Sequence, residues 1–94
     1  MLSIDLEIRN PSGLHARPAA QFVRQAAAAK CRVRLANLAR PGSEVDGKSI
    51  LGVLSLGVTK GNPVRLTVDG EDESATIQRL SALITNGLGE PVEP

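Results

Sequence analysis

The stretch Leu2–Arg9, LSIDLEIR, decides the fold class because apolar and polar residues alternate along it without interruption. A period of two places its apolar side chains on one face of a β-strand. The same alternation recurs over residues 31–35 and 64–68. Strands of parallel sheets are usually buried on both faces and apolar throughout, so these half-polar strands predict an antiparallel sheet with one face in water.

Helical spacing is found in three places between and after these strands. Small and apolar residues recur with that spacing over residues 16–27 and predict a helix of about 14 residues. The apolar cluster within residues 47–57 suits a second, short helix. A third helix is expected to begin in the acidic turn Glu71–Ser74, where negative charge favours a helix N-terminus, and to stop before Gly87.

A fourth, short strand is predicted near Ser43–Asp46, after the turn at Pro41-Gly42. The order is then β-α-β-β-α-β-α, and the fold class is α+β: a two-layer open-faced β-sandwich, in which three helices cover one face of a four-stranded antiparallel sheet. The length of 94 residues allows one domain, expected over residues 1–88. The Pro- and Glu-containing end, residues 89–94, is expected to be a flexible C-terminal tail.

Composition excludes several classes of partner. Hydrophobic residues at 41% and charged residues at 22% are typical of a globular domain with a packed core. Phe22 is the only aromatic residue and the formal net charge is +1, so base-stacking platforms and a strong positive field are both missing. Nucleic acid is therefore not expected as a partner.

Metal, disulfide and membrane chemistry are also disfavoured by the sequence. Cys31 is the only cysteine and cannot form an internal disulfide, and with a single histidine it cannot complete a four-ligand zinc site. No metal and no cofactor are expected. The N-terminus lacks a basic segment followed by an apolar core, and no apolar stretch approaches the roughly 18 residues of a membrane-spanning helix. A cytoplasmic location without membrane insertion is expected.

Charge is unevenly distributed along the chain. Residues 1–47 carry a net +3 and residues 48–94 a net −2. No acidic residue lies between Asn10 and Ser43, a stretch that contains most of the basic residues. A partner with an acidic surface would be steered towards this basic half.

The single histidine lies where the first strand leads into the first helix. The turn residues before it and Pro18 after it place His15 at the helix N-terminus, because proline is tolerated only where its missing N–H would have no partner. The free backbone N–H groups of Ala16 and Arg17, the helix dipole and the Arg17 guanidinium would form an anion site beside the imidazole. The residues alone leave two interpretations open: a nucleophile for a transient phosphohistidine, or a histidine that merely caps or packs.

Two stretches resemble one known family. Gly13–Ala20, GLHARPAA, resembles the active-site motif of the HPr family, the histidine-containing phosphocarriers of the bacterial phosphoenolpyruvate-dependent sugar phosphotransferase system. Lys48–Gly57, KSILGVLSLG, resembles the regulatory-serine helix of the same family. The start of the third helix, Asp69–Glu73, also matches, so the resemblance covers nearly the whole chain in the correct order.

The resemblance implies a carrier without turnover of its own. His15 would accept a phosphoryl group on Nδ1 from phosphorylated enzyme I and pass it to enzyme IIA proteins, while Arg17 and the backbone N–H of Ala16 stabilise that group. Ser49 would be the site that an HPr kinase/phosphorylase modifies, and a transcriptional regulator would be a further partner. An ordinary helix N-cap is the alternative for Ser49. A monomer is expected.

Docking to partners requires an apolar patch as well as charge. The resemblance points to Ile50, Leu51 and Leu54 on the second helix. Since some of these are expected in the core, Ile50 and Leu54 are the predicted contact residues. Arg24 and Lys30 are candidates for meeting acidic partner surfaces, with a solvated helix face as the alternative for each.

The chain departs from the family pattern between its two motifs. The interval from His15 to Ser49 is 34 residues, a few more than is usual in the family. The extra length falls in Asn37–Glu44, where a hairpin turn tolerates insertion. The longer turn and the tail also resemble HPr-like modules of multiphosphoryl transfer proteins, so a free carrier, a regulatory paralogue and a fused module stay open.

One competing motif lies inside this region. Residues 42–49, GSEVDGKS, satisfy the G-x-x-x-x-G-K-[ST] pattern of nucleotide-binding P-loops. That pattern requires a buried strand before the loop and a parallel sheet, whereas Pro41 precedes this one and the neighbouring strands alternate in polarity. A P-loop-type nucleotide-binding fragment is therefore the less favoured alternative.

Overall fold

A computed structural model describes residues 1–91, which form four strands and three helices in the predicted order. The elements are β1 (Leu2–Glu7), α1 (Ala16–Ala27), β2 (Arg32–Asn37), β3 (Glu44–Asp46), α2 (Ile50–Ser55), β4 (Pro63–Asp69) and α3 (Glu73–Thr85). The predicted α+β class is confirmed. The first helix has 12 residues, fewer than the predicted 14 or so, because it ends at Ala27, with Ala28 as its C-cap.

The sheet has the strand order β1-β4-β2-β3, and every neighbouring pair is antiparallel. The register places apolar residues in shared rows: Leu66 of β4 pairs with Ile4 of β1 on one side and with Leu35 of β2 on the other. Polar residues form the alternating rows, including the pair of Arg65 and Asp5, joined by two hydrogen bonds of 2.7 and 3.0 Å. The predicted two-faced sheet follows directly from this alternation.

The core lies between the apolar sheet face and the helices. Phe22 of α1 is completely buried, as are Val53 of α2 and Leu80 and Ile84 of α3. Cys31 is also buried and contributes as a small apolar side chain, with burial raising the pKa of its thiol. None of the helices formed by residues 1–91 has the length and apolar character needed to cross a membrane.

The P-loop alternative does not fit this topology. The middle of the matching stretch is strand β3, whose residues pair antiparallel with β2, so it is not a phosphate-binding loop between a strand and a helix. The sheet formed by residues 1–91 contains no parallel pair. The predicted short strand near Ser43–Asp46 is confirmed at Glu44–Asp46.

Candidate functional site

His15 occupies the N-cap of α1 with an extended backbone, φ −127° and ψ 160°. Its side chain is exposed and makes no capping hydrogen bond. Within residues 1–91 the imidazole therefore has neither of the structural roles that the sequence left open, capping or packing. Both ring nitrogens remain free to meet a reactant from solvent.

The residue after the histidine has an unusual backbone conformation. Ala16 has φ +49°, in the left-handed region that residues with a Cβ atom rarely adopt. Such a conformation costs about 1–2 kcal/mol and is found most often at functional sites. The sequence contained no signal for it, because alanine at the start of a helix is ordinary.

Donors for an anion are present beside the imidazole. The N–H groups of Ala16 and Arg17 belong to the first helical turn, where no carbonyl of the helix can accept from them, and Pro18 has no N–H. Both residues are exposed at the surface. The Arg17 side chain makes no hydrogen bond within the described part of the chain, so its guanidinium is available to an incoming anion.

The loop before His15 is held against the segment that follows α2. Leu14 is buried and its N–H donates to the carbonyl of Val58 over 3.1 Å. Gly13 has φ +61°, and a Cβ atom there would lie 2.4 Å from the Val58 carbonyl oxygen. Asn10, also buried, donates from Nδ2 to the Gly13 carbonyl over 2.9 Å. Only glycine fits at position 13.

Glu90 closes the loop from the other side. Its carboxylate accepts hydrogen bonds from Asn10 Nδ2 (3.0 Å), Ser12 N–H (3.0 Å) and Ser12 Oγ (2.8 Å). The hydrogen bond from Asn10 lowers the pKa of the Glu90 carboxyl most, followed by those from Ser12. The charge of Arg17 also helps to hold this pKa below its usual range. Glu90 was predicted in the flexible tail; that is wrong for this residue, because a short polar loop offers three donors to its carboxylate. Residues 92–94 of the predicted tail lie outside the described residues.

Acid should weaken this contact. Because the folded-state pKa of Glu90 lies below the unfolded value, the carboxylate stabilises the fold above about pH 4.3 and loses that contribution as pH falls through the folded pKa. Glu90→Gln is expected to lower the urea midpoint at pH 7, and its deficit relative to wild type should shrink as pH falls towards about 3. Glu71→Gln, at an exposed glutamate, is the control and should follow the wild-type curve. An equal deficit for Glu90→Gln at both pH values would contradict this assignment.

Ser49 is the N-cap of α2, and its Oγ accepts a 3.0 Å hydrogen bond from the N–H of Gly52. The predicted capping role is confirmed. The side chain is half-buried, and it lies next to the exposed residues of α2. A modification of Ser49 would therefore change the charge at the edge of that surface.

The apolar patch on α2 is larger than predicted. Ile50 is 40% exposed, Leu51 77% and Leu54 37%. The expectation that some of these residues belong to the core is wrong: α2 buries only Val53, so Leu51 is the most exposed member of the patch. The short helix presents one face to the core and leaves the rest in solvent.

The basic candidates lie apart from one another. Arg24 is exposed in the last turn of α1, and Lys30 is exposed in the connection to β2. At 1.5 Å per residue, the 12 residues of α1 separate His15 from the Lys30 end of the helix by about 18 Å. The structure therefore groups Arg17 with His15 and leaves Lys30 at the far end.

Comparisons with known proteins agree over nearly the full chain. A family model described as "PTS HPr component phosphorylation site" matches residues 2–86. The phosphocarrier protein HPr of Pseudomonas aeruginosa is 41% identical over 90 residues, which cover 96% of this chain and 98% of that protein. The crystal structure of HPr-C-His from Thermoanaerobacter tengcongensis has a TM-score of 0.91 and 40% identity, with 98% of this chain and all of that chain covered.

Longer proteins match the same residues. The multiphosphoryl transfer protein of Haemophilus influenzae is 41% identical over 85 residues, which cover 90% of this chain and 17% of that protein. The chain thus spans about a fifth of the length of such relatives. Both kinds of relative share the region that contains the site described above.

Proposed function

The chain belongs to the HPr family of phosphocarriers of the phosphotransferase system, and from this membership we propose that His15 carries the phosphoryl group. The observation that supports the proposal is the free, exposed imidazole at the N-cap of α1. The unpaired N–H groups of Ala16 and Arg17 lie beside it. Enzyme I is the proposed donor and an enzyme IIA protein the proposed acceptor.

The chemistry follows from this arrangement. The lone pair of the His15 Nδ1 atom forms a bond to phosphorus while the bond from phosphorus to the donor breaks, and the donor keeps that electron pair. The phosphoryl oxygens accept hydrogen bonds from the N–H groups of the first turn and from the Arg17 guanidinium. The same contacts hold the phosphoryl group in the onward step, when an acceptor nucleophile bonds to phosphorus and the bond from phosphorus to His15 breaks.

Removal of the Arg17 guanidinium should slow transfer without unfolding the domain. Arg17 is exposed, so Arg17→Ala should leave the thermal midpoint nearly unchanged, whereas the rate constant for transfer from enzyme I should fall about 10- to 100-fold. Rapid-quench measurement of phosphate on the chain gives this rate. Arg32→Ala, on the open sheet face, is the control and should transfer at the wild-type rate. A wild-type rate in Arg17→Ala would remove Arg17 from the site.

Partner docking is assigned to the apolar patch of Ile50, Leu51 and Leu54, with Arg24 and Lys30 steering acidic surfaces. One chain contains every residue of the proposed site, so the proposed carrier acts as a monomer; a cytoplasmic location is proposed from the family membership alone. A free protein and a module of a multiphosphoryl transfer protein would use the same residues.

Regulation is proposed at Ser49. A phosphate there would add a charge of about −2 at the edge of the apolar patch, where it would repel an acidic partner surface. An HPr kinase/phosphorylase is the proposed modifying enzyme, and a transcriptional regulator the proposed reader of that modified state. The alternative is that Ser49 serves only as the cap of α2.

Labelling with phosphoenolpyruvate tests the function. Phosphoenolpyruvate with enzyme I should place one acid-labile, base-stable phosphate on the chain, whereas ATP with HPr kinase should place an acid-stable one on Ser49. Labelling by the kinase alone would favour a regulatory paralogue. Saturable binding of ATP-magnesium by the isolated chain would favour the nucleotide-binding alternative instead.

A further inference from the structure

The turn over residues 37–44 contacts the end of α2 through side chains. Asn37 is buried and donates from Nδ2 to the carbonyl of Leu56 over 3.0 Å. Arg40 donates from one guanidinium nitrogen to the carbonyls of Leu56 (3.1 Å) and Ser55 (3.3 Å). The same nitrogen would lie 3.0 Å from a Cβ atom at Gly57, so the guanidinium sits directly on this backbone.

Hydrogen bonds also connect residues within the turn and join the turn to the sheet. The Asn37 carbonyl accepts from the N–H of Arg40 (2.9 Å) and from Ser43 Oγ (3.1 Å), and Asn37 Oδ1 accepts from the N–H of Ala39 (3.0 Å). The N–H of Leu38 donates to the carbonyl of Pro63 at the start of β4 (2.9 Å). These hydrogen bonds hold the turn that carries Arg40 against the sheet.

Helix α2 needs such support at its C-terminal end. It has six residues, fewer than two turns, and helices this short are unstable without outside contacts. The Val53 and Leu54 carbonyls accept from the N–H groups of Leu56 and Gly57, whereas the Ser55 and Leu56 carbonyls take their donors from outside the helix; a cation is favourable at this end of the helix dipole. Only Val53 of the helix is buried. Arg40 and Asn37 add side-chain hydrogen bonds at this end, beside the buried side chain of the C-cap residue Leu56.

The end of α2, held by Arg40 and Asn37, leads directly into the residues that contact the loop before His15. Leu56 carries the carbonyl that both side chains hold, and two residues later the Val58 carbonyl accepts the N–H of Leu14. Gly57, between them, has φ +62°. A displacement of the Leu56 carbonyl would move the surface on which Gly13 and Leu14 rest.

We infer that Arg40 is a positioning residue for phosphoryl transfer: it holds the apolar patch of α2 and the loop before His15 in one fixed relation. The inference rests on the proposed function, because the patch is taken as the docking surface. The longer turn then positions α2 through Arg40, a role that the sequence of an ordinary hairpin connection does not indicate.

Amide hydrogen exchange of the free chain tests the positioning role without any partner. In Arg40→Ala, exchange should accelerate about three- to tenfold at Gly57 and Leu14, the factor expected when hydrogen bonds of ordinary strength are lost nearby. Arg40→Lys, which keeps a cation and a donor, should restore part of the protection. Arg32→Ala should exchange like the wild type. Unchanged exchange at both amides in Arg40→Ala would overturn the inference.

Phosphoryl transfer provides the second readout. With the chain as substrate of enzyme I, Arg40→Ala should raise KM about three- to tenfold and leave kcat within about twofold, because docking geometry changes while His15 and Arg17 stay intact. A raised KM with unchanged exchange would mean that Arg40 touches the partner itself, which would also overturn the positioning role. If the wild-type chain takes no phosphate from enzyme I, the proposed function fails, and the exchange measurement still decides on Arg40.

Discussion

Replacing His15 with alanine is expected to abolish labelling by phosphoenolpyruvate and enzyme I. The variant removes the only imidazole of the chain, and no other residue of the site can form the acid-labile, base-stable bond that identifies a phosphohistidine. The exposed side chain makes no capping bond, so the fold and its thermal midpoint should be retained. The measurement is the amount of acid-labile phosphate per chain, which should fall from about one to background.

Ser49→Ala is the matched control for this experiment. It removes the other proposed phosphorylation site and should keep full labelling by enzyme I, at a cost of about 1 kcal/mol in stability from the lost cap of α2. Undiminished labelling of His15→Ala would show that the phosphoryl group resides elsewhere, and the site assignment would have to be abandoned.

The substitution Gly13→Ala is expected to have the largest effect on the loop that carries His15. A left-handed backbone costs alanine about 1–2 kcal/mol, and overlap of the new Cβ atom with the backbone at Val58 and Thr59 adds about as much again. The free energy of unfolding should therefore fall by about 3 kcal/mol. Transfer from enzyme I should slow about tenfold or more, since displacement of Leu14 also displaces His15.

Gly42→Ala separates the two causes. Gly42 has φ +83°, but no atom lies within 4 Å of its Cβ position, so this variant carries the backbone strain without the overlap. It should lose about 1 kcal/mol and slow transfer less than Gly13→Ala does. Urea unfolding and rapid-quench transfer measure both quantities. Equal losses in the two variants would show that the contact with Val58 has no special role.

The local pattern of the chain is sufficient to predict the layers and the position of His15. Alternation in Leu2–Arg9 is a property of neighbouring residues, and so is the placement of His15 before Pro18 at a helix start. Each depends on rules that act over a few positions. The class, the element order and the N-terminal position of His15 follow from them, and the structure has all three.

Contacts between distant parts of the chain were not predictable in the same way. Glu90 meets Ser12 across 78 positions and Arg40 meets Leu56 across 16, and neither residue belongs to a pattern. The left-handed backbone of Ala16 results from how the loop enters α1, which alanine itself does not signal. The exposure of Leu51 is not predictable either, because a six-residue helix is too short for its periodicity to show which face is buried.

The exposure of His15 determines what a partner has to supply in the proposed transfer. An open helix end has no walls that exclude water or surround a phosphoryl group. If His15 carries the phosphoryl group, as proposed, the chain supplies the nucleophile and a few hydrogen-bond donors, and each partner has to supply the groups that enclose the phosphoryl group. In the proposed role, the same open site faces donor and acceptor in turn. Under the same proposal, the choice of partner depends on which protein surfaces fit the apolar patch of α2, and not on a pocket around His15.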